Sequence, residues 1–113
     1  MAGVQGAEAG FVQAGLDAVA TELEPRRAVL RRHAALIASH PALRERELIK
    51  QAATVTALAE ALRARGVPAE EAELSAEVAI VLLRVAYDRW LATEDGDLRT
   101  QLAAVRAQLD LSR

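Results

Sequence analysis

Cysteine is absent from this 113-residue sequence, and aromatic residues make up only 3% of it. Without cysteine the chain has no disulfides, no zinc–thiolate sites and no cysteine nucleophile. With so few aromatic side chains, a core must be packed by aliphatic residues and by the abundant alanine. The sequence also has only three prolines and six glycines, and most of them lie where a helix is predicted to end.

Long apolar runs are also missing. No stretch approaches the roughly 20 residues needed to cross a membrane, so no membrane association is expected. Residues 1–10 lack the basic start and apolar centre of a signal peptide, and we therefore expect a cytoplasmic protein. The formal net charge is −2, which gives no overall attraction to nucleic acid phosphates. Motifs for a nucleotide, a metal ion or a catalytic nucleophile are absent, so neither a cofactor nor an enzymatic activity is expected.

Helix-forming residues are what the sequence has in abundance. Hydrophobic residues make up 52% of the chain, and alanine, leucine, arginine and glutamate all favour helix. A chain of this length forms a single domain. We therefore predict an all-α domain over residues 8–113, preceded by a disordered leader at residues 1–7.

The helix boundaries are marked by proline, glycine and aspartate. His40-Pro41 ends one helix and starts the next, because proline fits the first helical position and disfavours helix in the residue before it. Gly66 is predicted to cap a helix C-terminus, and Asp97 is a good N-cap for the last helix. Helices are predicted at about residues 8–23, 25–39, 41–65, 68–93 and 98–109.

The second predicted helix mixes apolar and basic residues. Val29, Leu30, Leu36 and Ile37 are predicted to share its buried side, with Arg27 and Arg31 on the opposite side. Arg26, Arg27, Arg31 and Arg32 form a basic cluster. We interpret this cluster as a solvated face, and contact with a phosphate group of DNA or of an acidic ligand is the alternative.

The fourth predicted helix is apolar almost all round, and such a helix must be covered on nearly all sides. Its narrow polar strip consists of Glu70, Glu73, Glu77, Arg84 and Asp88. The fifth helix has apolar residues at alternating spacings of four and three, the pattern of a coiled-coil seam. One short chain cannot cover both helices, so we predict a homodimer. The predicted interface residues are Val78, Leu82, Val85, Arg89, Leu98, Leu102, Val105 and Leu109.

The order of three segments resembles the C-terminal half of TetR-family transcriptional regulators. These segments read LIASHPALRERELIK, ALAEALRARGVP and VLLRVAYDRWLATEDGDL, and the resemblance extends over about residues 11–109. It implies a five-helix, effector-sensing and dimerisation domain of a repressor. The last two helices would pair with those of a second copy as a four-helix bundle.

The N-terminal helix-turn-helix domain of the TetR family, recognisable by a run near AxxxGVSxxTxYxxF, is missing from this sequence. The resemblance therefore implies that DNA is contacted only through that missing domain. The remaining partners would be a second copy of the chain and an unknown small effector, either apolar or amphipathic.

Polar side chains among apolar neighbours indicate where such an effector would bind. We predict a largely apolar cavity between the second, third and fourth helices, lined by His33 and Thr56, with Ser75 as a further ligand-binding residue. Ligand sites are usually apolar with a few polar groups. The alternatives are a hydrogen bond from His33 to a backbone carbonyl, and bonds from Thr56 and Ser75 to their own helices. No metal site is expected, because His40 is the only other histidine and the chain has no cysteine.

Two further interpretations remain open. Tyr87 and Trp90 are interpreted as core packing rather than as a wall for a planar ligand, since buried aromatic residues are usually core. For the whole chain, the alternative to an effector sensor is a stand-alone helical scaffold or adaptor without a small-molecule site. An enclosed cavity between the second, third and fourth helices would favour the sensor, and a solid core would favour the scaffold.

Overall fold

The computed structural model describes residues 2–111 of the chain, and the side chains of residues 6–110. That range is helical and contains no strand, which confirms the all-α prediction. The elements in chain order are α1 (Ala2–Leu23), a 3₁₀ turn (Glu24–Arg26), α2 (Arg27–Ala38), α3 (Pro41–Ala64), α4 (Ala69–Ala92) and α5 (Leu98–Leu111). Within the described range, no helix combines the length and the apolar character needed to span a membrane.

The observed helix boundaries follow the predicted ones closely from α2 onward. The chain differs at its start, where α1 begins at Ala2 and so includes residues 2–7, which the sequence assigns to a leader. Met1, Ser112 and Arg113 lie outside the described residues.

The C-terminus of α3 ends in a Schellman motif at Gly66. Gly66 has a φ of 95°, in the left-handed region that glycine adopts without a steric penalty. Its N–H donates to Arg63 O at 2.9 Å, and the N–H of Val67 donates to Leu62 O at 3.1 Å. Leu62 and Val67 are also buried together, which is the apolar contact that accompanies this motif. The predicted glycine cap is confirmed.

The N-terminus of α5 is capped from two directions. The Asp97 carboxylate accepts a hydrogen bond from the Thr100 N–H at 2.7 Å, as an N-cap residue does. Hydrogen bonds with the Thr100 side chain and then with its N–H lower the pKa of Asp97 below its ordinary value. Glu24, from the 3₁₀ turn, accepts a further hydrogen bond from the N–H of Leu98. The predicted N-cap is confirmed, and the link from Glu24 fixes the start of α5 to the end of α1.

The core is built around one side of α4. Small side chains occupy most of that side, at Ala72, Ala76, Ala79 and Ala86. Because alanine is short, neighbouring helices can approach α4 closely there. Trp90 follows at the same helical spacing and is fully buried, together with Leu16 and Ala20 of α1 and Leu98 of α5. The interpretation of Trp90 as core packing is confirmed.

The predicted buried side of α2 is wrong in two of its four residues. Val29 and Leu36 are each about half exposed, whereas Leu30 packs against the core beside Ala34. Relative to the predicted orientation, α2 is rotated about its own axis, because Arg27, on the same side as Leu30, bonds to the end of α4. In α3, Leu48 is exposed, and the buried residues Ala59 and Leu62 lie in the C-terminal half of the helix.

Candidate functional site

A stripe of large aliphatic side chains runs along the outer face of α4. Leu74, Val78 and Val81 are 66%, 37% and 47% exposed, and Val85 continues the stripe half-buried. The successive spacings of four, three and four residues keep these side chains on one line of the helix. At 3.6 residues per turn, the stripe lies about 150° around α4 from the buried alanines. We call these four residues the outer stripe.

An open groove lies beside the outer stripe, between α4 and α5. Its volume is about 360 Å³. The lining residues are Val78, Val81, Leu82, Val105, Gln108 and Leu109. Only Gln108 brings a polar side chain, so the groove and the stripe form one continuous apolar surface. We call this surface the α4–α5 groove.

The apolar seam of α5 is divided between this groove and the core. Leu98, Leu102 and Val105 are predicted interface residues, but they are only 0%, 5% and 8% exposed in one copy of the chain. They pack in the chain's own core because α5 folds back along α4 and α1. Leu109, at 41% exposed, is the part of the seam that faces outward. Leu98 and Leu102 are therefore core residues in one copy and do not belong to the exposed apolar surface. Val105 contributes to that surface only as a lining residue of the α4–α5 groove.

The other predicted interface residues lie at or beside the groove. Leu82 and Val85 are half-buried, and both pack against the edge of the core. Arg89 is exposed, and its guanidinium donates to Gln108 Oε1 of α5 at 2.6 Å. This bond joins the C-terminal halves of α4 and α5 within one copy.

A second cleft, of about 370 Å³, lies between α1 and α5. Leu16, Leu82 and Leu102 give it an apolar floor, while Arg99 and Arg106 stand at its polar side. The Arg99 guanidinium donates to Asp17 O at 3.3 Å and to the Thr21 hydroxyl. Arg106 donates to Gln13 Oε1. We call this the α1–α5 cleft, and Leu82 is the residue that it shares with the α4–α5 groove.

The three predicted effector-binding residues do not line either of these clefts. His33 is exposed, because the rotation of α2 turns the Val29–His33–Leu36 side outward. Thr56 is exposed and donates to Ala52 O at 3.2 Å, the bond to its own helix that was the alternative. Ser75 is half-buried and donates to Glu8 Oε1 of α1 rather than to α4. Exposed His33 and Thr56 cannot line an enclosed cavity within one copy, and the assignment of Ser75 to an effector stays a prediction.

The arginine cluster contains a structural feature that the sequence did not predict. The Arg27 guanidinium donates to Trp90 O at 2.7 Å, to Glu94 O at 3.3 Å and to Gly96 O at 3.2 Å, and also to Thr93 O. Arg31 donates to Leu91 O at 2.9 Å and to Thr93 O at 2.7 Å. Carbonyls at a helix C-terminus lack hydrogen-bond partners within the helix and carry partial negative charge. The two arginine side chains donate hydrogen bonds to these carbonyls and place positive charge beside them.

This arginine clamp, Arg27 and Arg31, corrects the interpretation of the cluster as a solvated face. Arg26 and Arg32 are exposed, as expected. The signal was available in the sequence: Arg27, Leu30, Arg31 and Ala34 have the spacing of one helix face. The partners could not be identified, because they are backbone carbonyls sixty or more residues away.

The two aromatic residues near the end of α4 form part of the same assembly. Arg27 lies 5.5 Å from the centre of the Trp90 ring, and the Tyr87 and Trp90 rings are 6.0 Å apart at 54°. Burial, and then the nearby Glu47 carboxylate, raise the pKa of Tyr87. Because Trp90 is fully buried, it offers no open face for a planar ligand.

Comparisons with models of protein families, with curated proteins and with solved structures find no match for this chain. The resemblance to TetR-family regulators therefore stays a prediction from sequence. The surfaces on which a function can be argued are the α4–α5 groove, with its outer stripe, and the α1–α5 cleft.

Proposed function

We propose that this chain is an effector-sensing and dimerisation domain of a TetR-like transcriptional repressor. In this proposal two copies associate through the α4–α5 groove, and DNA is contacted only through a separate helix-turn-helix domain. The observation that carries the proposal is the outer stripe of α4. It places Leu74, Val78 and Val81 in water beside an apolar groove of about 360 Å³.

The free energy available from this surface favours a second copy as the occupant. Full burial of an initially exposed leucine or valine side chain is worth about 1.5–3 kcal/mol, and Leu74, Val78 and Val81, at 66%, 37% and 47% exposed, can gain the corresponding fraction of it. The stripe and Leu109 supply several such side chains, on a surface with little charge at its centre. Large contiguous apolar patches are uncommon on monomers and mark interaction sites. A two-fold dimer would cover the patch on both copies with one self-complementary contact.

Effector sensing is proposed for the α1–α5 cleft. Its volume of about 370 Å³ lies within the range of small-molecule sites, about 300–1,000 Å³. An apolar floor and a polar side suit a small amphipathic molecule. Leu82 lines this cleft on one side and the dimer groove on the other. A ligand that prefers one position of Leu82 would shift the equilibrium between two dimer arrangements, as an effector must.

Light scattering coupled to size exclusion, at micromolar protein, tests the dimer. The wild type is expected to have twice the chain mass of 12.1 kDa. Val81→Arg is expected to be a folded monomer, because an arginine buried without a partner costs several kcal/mol. Ala53→Arg, at an exposed position of α3, is the matched control and should remain dimeric. A folded wild type with the mass of one chain would refute the proposal.

Native mass spectrometry tests the sensing part. A small molecule that co-purifies with the wild type should be absent from Ala103→Trp, since this substitution fills the α1–α5 cleft from an exposed lining position. Retention of the molecule by Ala103→Trp would remove the cleft as its site.

The alternative function is a helical scaffold that dimerises without a small-molecule site. The observation that favours it is the exposure of His33 and Thr56, which leaves them unsuited to an enclosed cavity in one copy. A wild-type dimer that carries no bound molecule after mild purification, and gains none from a cell extract of small molecules, would support the scaffold over the sensor.

A further inference from the structure

We infer that two copies pair with their α4 helices antiparallel, so that Glu77 of one copy faces Arg84 of the partner subunit. This inference rests on the dimer proposed above and specifies how its two outer stripes meet. It also assigns a role to charged residues that otherwise appear as an ordinary solvated strip of α4. Both Glu77 and Arg84 are exposed in one copy of the chain.

The charges along one edge of the outer stripe change sign near its middle. Glu70 and Glu77 border the N-terminal half of the stripe, and Arg84 borders the C-terminal half on the same edge, while Asp88, seven residues after Val81, lies at the C-terminal end of the stripe itself. The positions are seven residues apart, which is two helical turns or about 10.5 Å along α4. The midpoint between Glu77 and Arg84 falls next to Val81. The sign change therefore lies opposite the centre of the apolar stripe.

An antiparallel arrangement converts this pattern into attraction. In antiparallel helix pairs, residues on one edge of the apolar seam face the same edge of the partner helix, running the other way. With the two-fold axis close to Val81, Glu77 meets Arg84 of the partner subunit, and symmetry repeats the pair on the other side. Opposite charges at the edge of such a seam set the choice and orientation of the partner.

A parallel arrangement gives the opposite result. There each edge of the seam faces the other edge of the partner helix, five residues further along. Arg84 would then meet Arg89 of the partner subunit, and Glu77 would meet Leu82 of the partner subunit. The first contact is repulsive and the second leaves a carboxylate against an apolar side chain. The charge pattern thus disfavours parallel pairing as well as favouring antiparallel pairing.

Charge reversal tests the inference directly. Glu77→Arg alone and Arg84→Glu alone each place like charges together twice in a homodimer, so each should raise the dimer dissociation constant by about tenfold or more. An equimolar mixture of the two variants should form heterodimers, because both pairs are restored. The double variant E77R/R84E should return to near wild-type affinity. Glu73→Arg is the matched control, because Glu73 lies further around α4 from the outer stripe than Glu77 does. This substitution should change the dimer dissociation constant little.

Engineered disulfides give a second readout, because the described part of the chain has no free cysteine. Disulfide formation needs Cα atoms within about 7 Å. In the antiparallel dimer, Glu77→Cys should cross-link with Arg84→Cys in a mixture. Leu74→Cys should not cross-link with itself, since its two copies would lie roughly 20 Å apart along the helix axis.

The outcomes separate this inference from the proposed function. A monomeric wild type overturns both. A dimeric wild type whose affinity is unaffected by either charge reversal, or in which Leu74→Cys cross-links efficiently with itself, overturns the antiparallel pairing and leaves the dimer in place. Weakening by both single variants, with rescue in the mixture and in the double variant, supports the pairing.

Discussion

Replacement of Arg27 by alanine removes the side chain that joins α2 to the end of α4. Its guanidinium bonds to the carbonyls of Trp90, Glu94 and Gly96 and to Thr93 O, and lies over the Trp90 ring. Hydrogen bonds to charged groups contribute about 1.5–3 kcal/mol. The contact with the ring adds about 0.5–1 kcal/mol. The bonds share one guanidinium and do not add fully, so we expect Arg27→Ala to lower the free energy of unfolding by about 2–4 kcal/mol.

Chemical and thermal unfolding followed by circular dichroism measure this change. For a chain of this size the loss corresponds to a fall in Tm of roughly 8–16 °C. All variants are compared at one protein concentration, because the stability of the proposed dimer would depend on it. Arg27→Met tests the source of the effect: it keeps most of the apolar stem but has no donors, so it should recover only a small part of the loss.

Arg32→Ala is the matched control for Arg27→Ala. Arg32 is exposed, and substitutions of exposed residues usually stay within about 0.5 kcal/mol of the wild type. If Arg27→Ala were as stable as Arg32→Ala, the arginine clamp would not hold α4, and the physical account of the rotation of α2 would be wrong.

Three further results are expected. Gly66→Ala should lower the free energy of unfolding by about 1–2 kcal/mol, since alanine would be held at a positive φ, and urea unfolding against wild type checks this. Asp97→Ala should be less stable than wild type near neutral pH. Because folding lowers the pKa of Asp97, its contribution is present above the unfolded-state pKa and disappears as the pH falls through the folded one; a difference that persisted at pH 2 would contradict the N-cap role. Val105→Arg should unfold the chain rather than yield a folded monomer, since Val105 lies in the core; a folded helical monomer by circular dichroism and light scattering would argue otherwise.

The helix boundaries could be predicted because they depend on local chemistry. Proline at Pro41, glycine at Gly66 and aspartate at Asp97 each act on the backbone within a few residues. Their effects are nearly independent of what the helix packs against. The C-terminal cap at Gly66 and the N-cap at Asp97 are both observed where the sequence places them.

The packing side of α2 could not be predicted in the same way. Hydrophobicity alone ranks Val29 and Leu36 above Arg27, yet Arg27 is directed inward and the other two face water. The reason is long-range: the unpaired carbonyls at the end of α4 need donors, and guanidinium groups supply several at once. The pattern of the twelve residues that form α2 carries no information on those distant carbonyls.

The seam of α5 shows a different limit. Its spacing predicts an apolar partner correctly, but a pattern of spacing does not distinguish a partner in the same chain from one in a second copy. For Leu98 and Leu102 the partner is the chain's own core. Leu109, further along the same line, is 41% exposed and lines the α4–α5 groove.

The distribution of side-chain size around α4 is the feature that joins fold and proposed function. Its inner side holds alanines, while its outer side holds Leu74, Val78 and Val81. Larger apolar side chains gain more free energy from burial than alanine does, so a chain selected only for stability as a monomer would favour the reverse arrangement. Inner alanines allow close helix packing in one copy, and the outer stripe gains its free energy only when a partner covers it. On this reasoning, replacement of the outer stripe by polar residues should leave one copy folded and abolish only its association.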